Sequence, residues 1–344
     1  TSETSMPLNG TSALKTKRAL SMPSSKETSI TPGRTSWANT VWAMNRVKIM
    51  VASLCNMMHL WVCGNSLTMN GATMINHAAK YIYFGLLALS VAMPAMAHEF
   101  WIAPSDYMAD ENSKIEAELL VGMDMVGAAQ IYITSDVQES FRQLADQRKS
   151  NEGRLGNRPA IQTMPLGSGL HVLAHVTKAQ ATSYADMEKF EAFLKEKDLL
   201  NFLDAHHARG LPEENFTESY VRHAKSLIVR GSADGQDQYV GLRVELVAKD
   251  NPYDMDLPGE FHVMALEHGK PVPQRRVTVQ SRDGQGSMTR DFAVTDDTGM
   301  AKIMIYPGRE YLLDLVTMEQ TDPETDQHKA PWRSHWASLT FRTP

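Results

Sequence analysis

From residue 98 onward the chain is dominated by short alternations of apolar and polar positions. In HEFWIAPSDYMADENSKIEAELLVGMD, Ile115, Ala117, Leu119 and Val121 alternate with more polar positions, which predicts a half-buried strand. Residues 130–134 and 170–177 (LHVLAHVT) read as two further short strands. Residues 187–212 change period: Met187, Phe190, Leu194 and Leu203 recur at helical spacing, Glu191 and Lys195 form an i,i+4 pair, and Gly210 and Pro212 end the run. The segment 217–231 (TESYVRHAKSLIVRG) predicts a second helix, capped by Thr217 and stopped at Gly231. The two make a helical insertion over about 184–230. After the turn-rich NPYDMDLPGE, six strand-like runs follow at roughly ten-residue spacing, with Asp283-Gly284, Thr298-Gly299 and Pro307-Gly308 as expected hairpin turns. The fold expected is mainly β: two β-sandwich, Ig-like domains, 98–255 with the helical insertion and 256–344, divided near residues 250–258.

The segment ahead of residue 98 reads differently. Residues 74–97 (MINHAAKYIYFGLLALSVAMPAMA) have one lysine, an apolar run from Tyr81 to Met93 and a small-residue end at Ala95-Met96-Ala97, the layout of a secretory signal peptide. The run is too short to span a bilayer, which takes about 20 residues. Cleavage is expected after Ala97, leaving His98 first. Residues 1–73 are rich in Ser, Thr and Met without a period and are expected to be disordered or mis-assigned, with translation starting at Met69 or Met74. The alternative is a cytoplasmic extension with an internal anchor at 81–97.

Charge and cysteine follow the same division. Of 34 Lys and Arg and 40 Asp and Glu in the 344-residue chain, 8 bases and 2 acids precede residue 98, which leaves 26 bases against 38 acids. A body of charge −12 repels phosphate backbones, so nucleic acid is not an expected partner. Cys55 and Cys63 both fall in the first segment, so the body holds no disulfide, thiolate metal site or thiol nucleophile of its own.

Several segments in order, HEFWIAP, KFEAFLKEKDLLNFLDAHHARG, ESYVRHAKSLIVRG, VELVAKDNPYD, HGKPVPQRRVTV, TDDTGMAKIMIYPG and WASLTF, resemble the NikM-like family of bacterial periplasmic proteins over essentially all of 98–344. The resemblance implies a periplasmic two-domain β-rich protein with a transthyretin-like C-terminal sandwich, and an association with nickel or cobalt uptake. It transfers no catalytic residue. Where such relatives often carry a Gly-His pair, this chain has Gly122-Met123-Asp124-Met125, a softer donor set that favours copper if it coordinates at all.

The candidate chemistry centres on His98. As a first residue it offers α-amine and imidazole together, and one more histidine completes a three-nitrogen site suited to Cu, Ni or Zn. The expected metal ligands are His98, His175 and His335, with a transition metal ion (Ni, Co or Cu) as cofactor. His171 and His175 share a strand face but stand about 13 Å apart along it, so at most one joins. His206 and His207 read as surface residues at a helix C-terminus, His223 as a packing residue, and His262 as lying opposite an apolar pair. Asp254, Asp256, Glu260, Asp296 and Asp297 read as acidic turns rather than a calcium loop. Tyr220, Arg222, Lys225, Glu245 and Asn251-Pro252-Tyr253 read as a structural set, a turn plus a base-acid pair across the domain boundary. No Gly-x-Ser-x-Gly, His-Glu-x-x-His, phosphate loop or dinucleotide fingerprint occurs. The expected function is non-catalytic transition-metal binding that serves a metal-uptake transporter or outer-membrane receptor. The competing class is a metal-free module binding a partner protein, receptor or glycan, with Trp332, Trp336 and Tyr107 at its surface; copper oxidase chemistry is a third.

Overall fold

The structure, a computed structural model, describes residues 98–344; the expected upstream segment and signal peptide lie outside the described residues. In chain order the strands are β1 (Glu99–Pro104), β2 (Met108–Ala109), β3 (Ile115–Met123), β4 (Val126–Gln130), β5 (Val137–Leu144), β6 (Gln147–Ser150), β7 (Ile161–Thr163), β8 (Gly169–Thr177) and β9 (Gln180–Tyr184). Two helices follow, α1 (Met187–Glu196) and α2 (Asn201–Ala208). The chain then forms β10 (Phe216–Arg230), β11 (Val244–Ala248), β12 (Gly259–Glu267), β13 (Lys270–Pro271), β14 (Arg276–Asp283), β15 (Met288–Val294), β16 (Met300–Ile305), β17 (Arg309–Gln320) and β18 (Trp332–Arg342).

A ten-stranded sheet runs β15-β14-β17-β18-β10-β8-β5-β6, with β2 and β9 also on β10. Side-chain alternation on β10 and β18 sorts the other layers to its two faces. One face carries the small sheet β1-β3-β4 with β7, since Phe100 lies beside His175 and Thr340 Oγ1 donates to Ile102 O. The other carries β11-β12-β13 with β16, where Phe261 packs on Phe341 at 4.9 Å between ring centroids. One apolar core joins all three sheets, and a second, aromatic core seats α1 and α2 on β9, β10 and β18. The protein is thus mainly β, a sandwich with a small helical insertion.

Three expectations change. The segment read as a second helix is β10, a strand buried on both faces; such strands lose the alternation that marks a half-buried one. The first helix is real but broken, because Asp198 turns at φ 60° so that Lys197 and Leu199 both point inward. The strand expected at 130–134 lies earlier, as β4, in a tight hairpin whose loop residues Asp124 and Met125 both have positive φ. Of the three turns, only Asp283-Gly284 closes a hairpin; Thr298-Gly299 and Pro307-Gly308 carry the chain from one sheet to the other. Residues 250–258 are likewise no sheet boundary: β18 pairs in parallel with β10 from Glu218–Trp332 to Ser226–Thr340, so both halves share one sheet.

Candidate functional site

The three expected metal ligands do not meet. His335 pairs with Val221 and therefore faces the β11–β12 layer, beside His223 at 5.7 Å between ring centroids. His175, two positions in face-period from His171 and its partner Ile228, faces the β1 layer instead. The main sheet stands between them. His335 Nε2 is already engaged with Glu319 Oε1 at 3.1 Å. Burial pushes both imidazoles down to about 4, and His223 to about 3 with His335 as a further cause. They are neutral at neutral pH.

His98 and His175 do lie on the same side. His98 is half-buried, two residues ahead of Phe100, whose ring is 5.8 Å from that of His175. The Nδ1 of His175 is buried without a hydrogen-bond partner. The Arg222 guanidinium comes with this arrangement: it donates to His98 O at 3.5 Å and lies 5.6 Å from the Phe100 ring centre. A fixed cation there opposes a second one. Among the described residues, no group of three His, Cys, Asp or Glu is arranged to hold a metal ion.

The remaining histidines have local tasks. His206 is buried rather than on the surface: its Nδ1 accepts from Trp332 Nε1 at 3.0 Å, so Nε2 carries the proton and donates to Pro212 O at 2.9 Å. Burial holds its pKa below the ordinary value. His171 takes the opposite tautomer, with Nε2 accepting from Leu166 N and Nδ1 donating to Gly169 O. His262 lies between Asp250 and Glu260 on the polar side of β12, as its alternation predicts. Asp296 accepts from Thr298 N and Met300 N, an ordinary turn. Met125 is buried between Trp101 and Leu312, so its thioether fills a core.

Two buried charge clusters tie the layers together. Lys225 Nζ contacts Asp237 Oδ1 and Glu245 Oε1, each at 2.8 Å, and both acids accept further backbone N–H groups. The base-acid pair is thus made by a strand instead of a helix, and with acids that both precede the boundary expected at 250–258 rather than across it. Lys197, at the end of α1, contacts Asp314 Oδ2 at 2.8 Å and Glu99 Oε1 at 3.2 Å. Burial disfavours both ammonium charges, but the paired carboxylates more than offset it and hold both pKa values above the ordinary one. Both ammonium groups are committed to carboxylates, while Glu99 Oε2 is buried without a hydrogen-bond partner.

The surface is elsewhere than expected. Trp332, Trp336 and Tyr107 are all buried. Phe292, Met304 and Tyr306, each half or more exposed, instead form a local apolar group on β15 and at β16. They border a groove of about 870 Å³ between β15 and β16, floored by Val279, Ile303 and Tyr311 and flanked by Asp291, Lys302 and Arg309. β15 ends the ten-stranded sheet, and β16 has β12 on one side only. Both walls are therefore sheet edges with unpaired backbone groups. Phe292, directly after the charged pair Arg290-Asp291, is the sequence signal for this feature.

The profile of a family described as Domain of unknown function (DUF4198) matches residues 95–319. Among solved structures, the D0-D1 domain of Intimin aligns with 70% of this chain and 97% of its own at 11% identity, with a TM-score of 0.17. A superposition that loose carries no argument about fold or role. No curated protein matches.

Proposed function

The chain belongs to the DUF4198 family, and from that premise we propose that it is an exported, periplasmic, non-catalytic binding module that holds an extended polypeptide segment between β15 and β16. The observation that carries this reading is the groove itself, about 870 Å³ between two free sheet edges. An extended segment gains main-chain hydrogen bonds from such an edge and side-chain specificity from the pockets beside it. Phe292, Met304 and Tyr306 supply the apolar contacts, and Asp291, Lys302 and Arg309 the polar ones. No bond is broken in this reading. Selection from a library of unstructured peptides tests it: bound peptides are expected to slow amide exchange in 288–294 and 300–306, and Met304→Glu to weaken them at least tenfold. Peptides that protect other strands, or a glycan array that binds where no peptide does, would overturn it.

A second reading keeps the metal. His98 and His175 share a face, and the buried Nδ1 of His175 has no protein partner. The amine and imidazole of a mature His98, with His175, would supply three nitrogens for copper or nickel, and the finer resemblance to the NikM-like group would then connect the protein to nickel or cobalt uptake. Native mass spectrometry of the chain starting at His98 checks this. One metal per chain, lost in His98→Ala, supports it; no adduct after copper, nickel and cobalt are offered rejects it.

A further inference from the structure

Among the described residues, Glu218 on β10 is a buried acid that no ion pair uses. It is 2% exposed, and its carboxylate accepts from Tyr184 Oη at 2.7 Å and from Ser334 Oγ. Ser334 Oγ in turn accepts from Trp336 Nε1 at 2.9 Å. The other deeply buried acids differ: Asp237 and Glu245 sit on Lys225, and Glu99 and Asp314 on Lys197.

The surroundings of Glu218 form the seat of α1 and α2. On its face of the sheet lie Phe216, Tyr220, Trp332 and Trp336, and the helices set Phe190, Phe193 and Phe202 against them. The titratable and charged groups facing this seat are few. β9 brings Tyr184, and β10 brings Tyr220 with Arg222 stacked on it at 4.7 Å. β18 brings none between Trp332 and Trp336 on that face. The end of α1 brings Lys197, 4.8 Å from the Trp336 ring centre and neutralised by its own acids. α2 brings neutral His206, and Arg209 lies 4.6 Å from the Trp332 ring centre. None forms an ion pair with Glu218 within the described residues.

We propose that Glu218 is a proton-controlled latch for the helical cap: protonated, it fits the apolar seat and α1 and α2 stay docked; ionised, it draws the seat toward water and the cap loosens. The physical cause is burial without a cation, which raises the pKa to about 7 despite hydrogen bonds from Ser334 and Tyr184 that pull the other way. With the cap undocked the acid returns to water and its ordinary range. The docked form therefore binds more protons across that interval, and docking weakens as pH rises through it.

Hydrogen exchange of residues 187–208 between pH 6 and pH 8, corrected for intrinsic exchange, tests the latch on the whole protein. Protection is expected to fall about tenfold in the wild type and to stay level in Glu218→Gln, whose amide keeps a hydrogen bond to each hydroxyl. A fall that persists in Glu218→Gln, or no fall in the wild type, overturns the proposal. If that variant does not fold, the carboxyl carbon shift of Glu218 in the wild type decides: a midpoint near neutrality supports the latch, and one in the ordinary carboxylate range rejects it.

Discussion

At the scale of single residues, the interior is governed by how each buried polar atom is satisfied. Lys225 shows the rule most plainly, being 1% exposed and held by two carboxylates and a carbonyl. Removing it leaves two acids buried around no charge. Lys225→Met is expected to lose about 3–5 kcal/mol in urea unfolding. Restoring much of that by changing Asp237 and Glu245 to apolar residues as well would show that the unpaired acids caused the loss; an unchanged midpoint in the single variant would refute the assignment. The histidines obey the same rule with less charge. His206 and His171 each have their tautomer fixed by one donor and one carbonyl, information that a sequence does not contain.

At the scale of elements, β10 is the informative case. TESYVRHAKSLIVR has a plausible helix cap and a plausible stop, yet it lies at the centre of the main sheet with Val221 and Val229 facing one layer and Ala224 and Ile228 the other. A strand apolar on both sides shows neither the two-residue nor the 3.6-residue period cleanly, and only its long-range partners decide. Glu218 belongs to this scale because its hydrogen bonds join β9, β10 and β18 beside the aromatic core that seats the helices. Its raised pKa lowers stability as pH climbs from about 4.5 to about 7, by about 3 kcal/mol in all if docking and folding are coupled. His206 acts with the opposite sign, since its lowered pKa removes stability as pH falls below its ordinary range. Below the ordinary imidazole range the two effects therefore oppose each other.

At the scale of the whole molecule, the parallel pairing of β10 with β18 makes the two halves interdependent. The fragment 98–255 would expose the β10 edge that β18 covers and lose the β12 layer over Lys225. It is expected to remain unfolded, with a narrow amide spectrum by NMR; a dispersed, cooperative fragment would restore the two-domain division. The same continuity leaves β15 and β16 as free edges on one side of the sandwich, and the groove between them is where a partner has room.

The sequence by itself determined the local facts. It placed β3, β8, α1 and most C-terminal strands, because half-buried strands and an amphipathic helix write their period into neighbouring residues. It also grouped Lys225 and Glu245 in one structural set, but it did not show that Asp237 joins them or that a strand carries the lysine. The tertiary structure decided which histidines share a face, that Trp332 and Trp336 lie inside, and that the chain forms one continuous main sheet. Those outcomes depend on strand register between residues more than a hundred positions apart, and a shift of one residue turns every side chain to the opposite face.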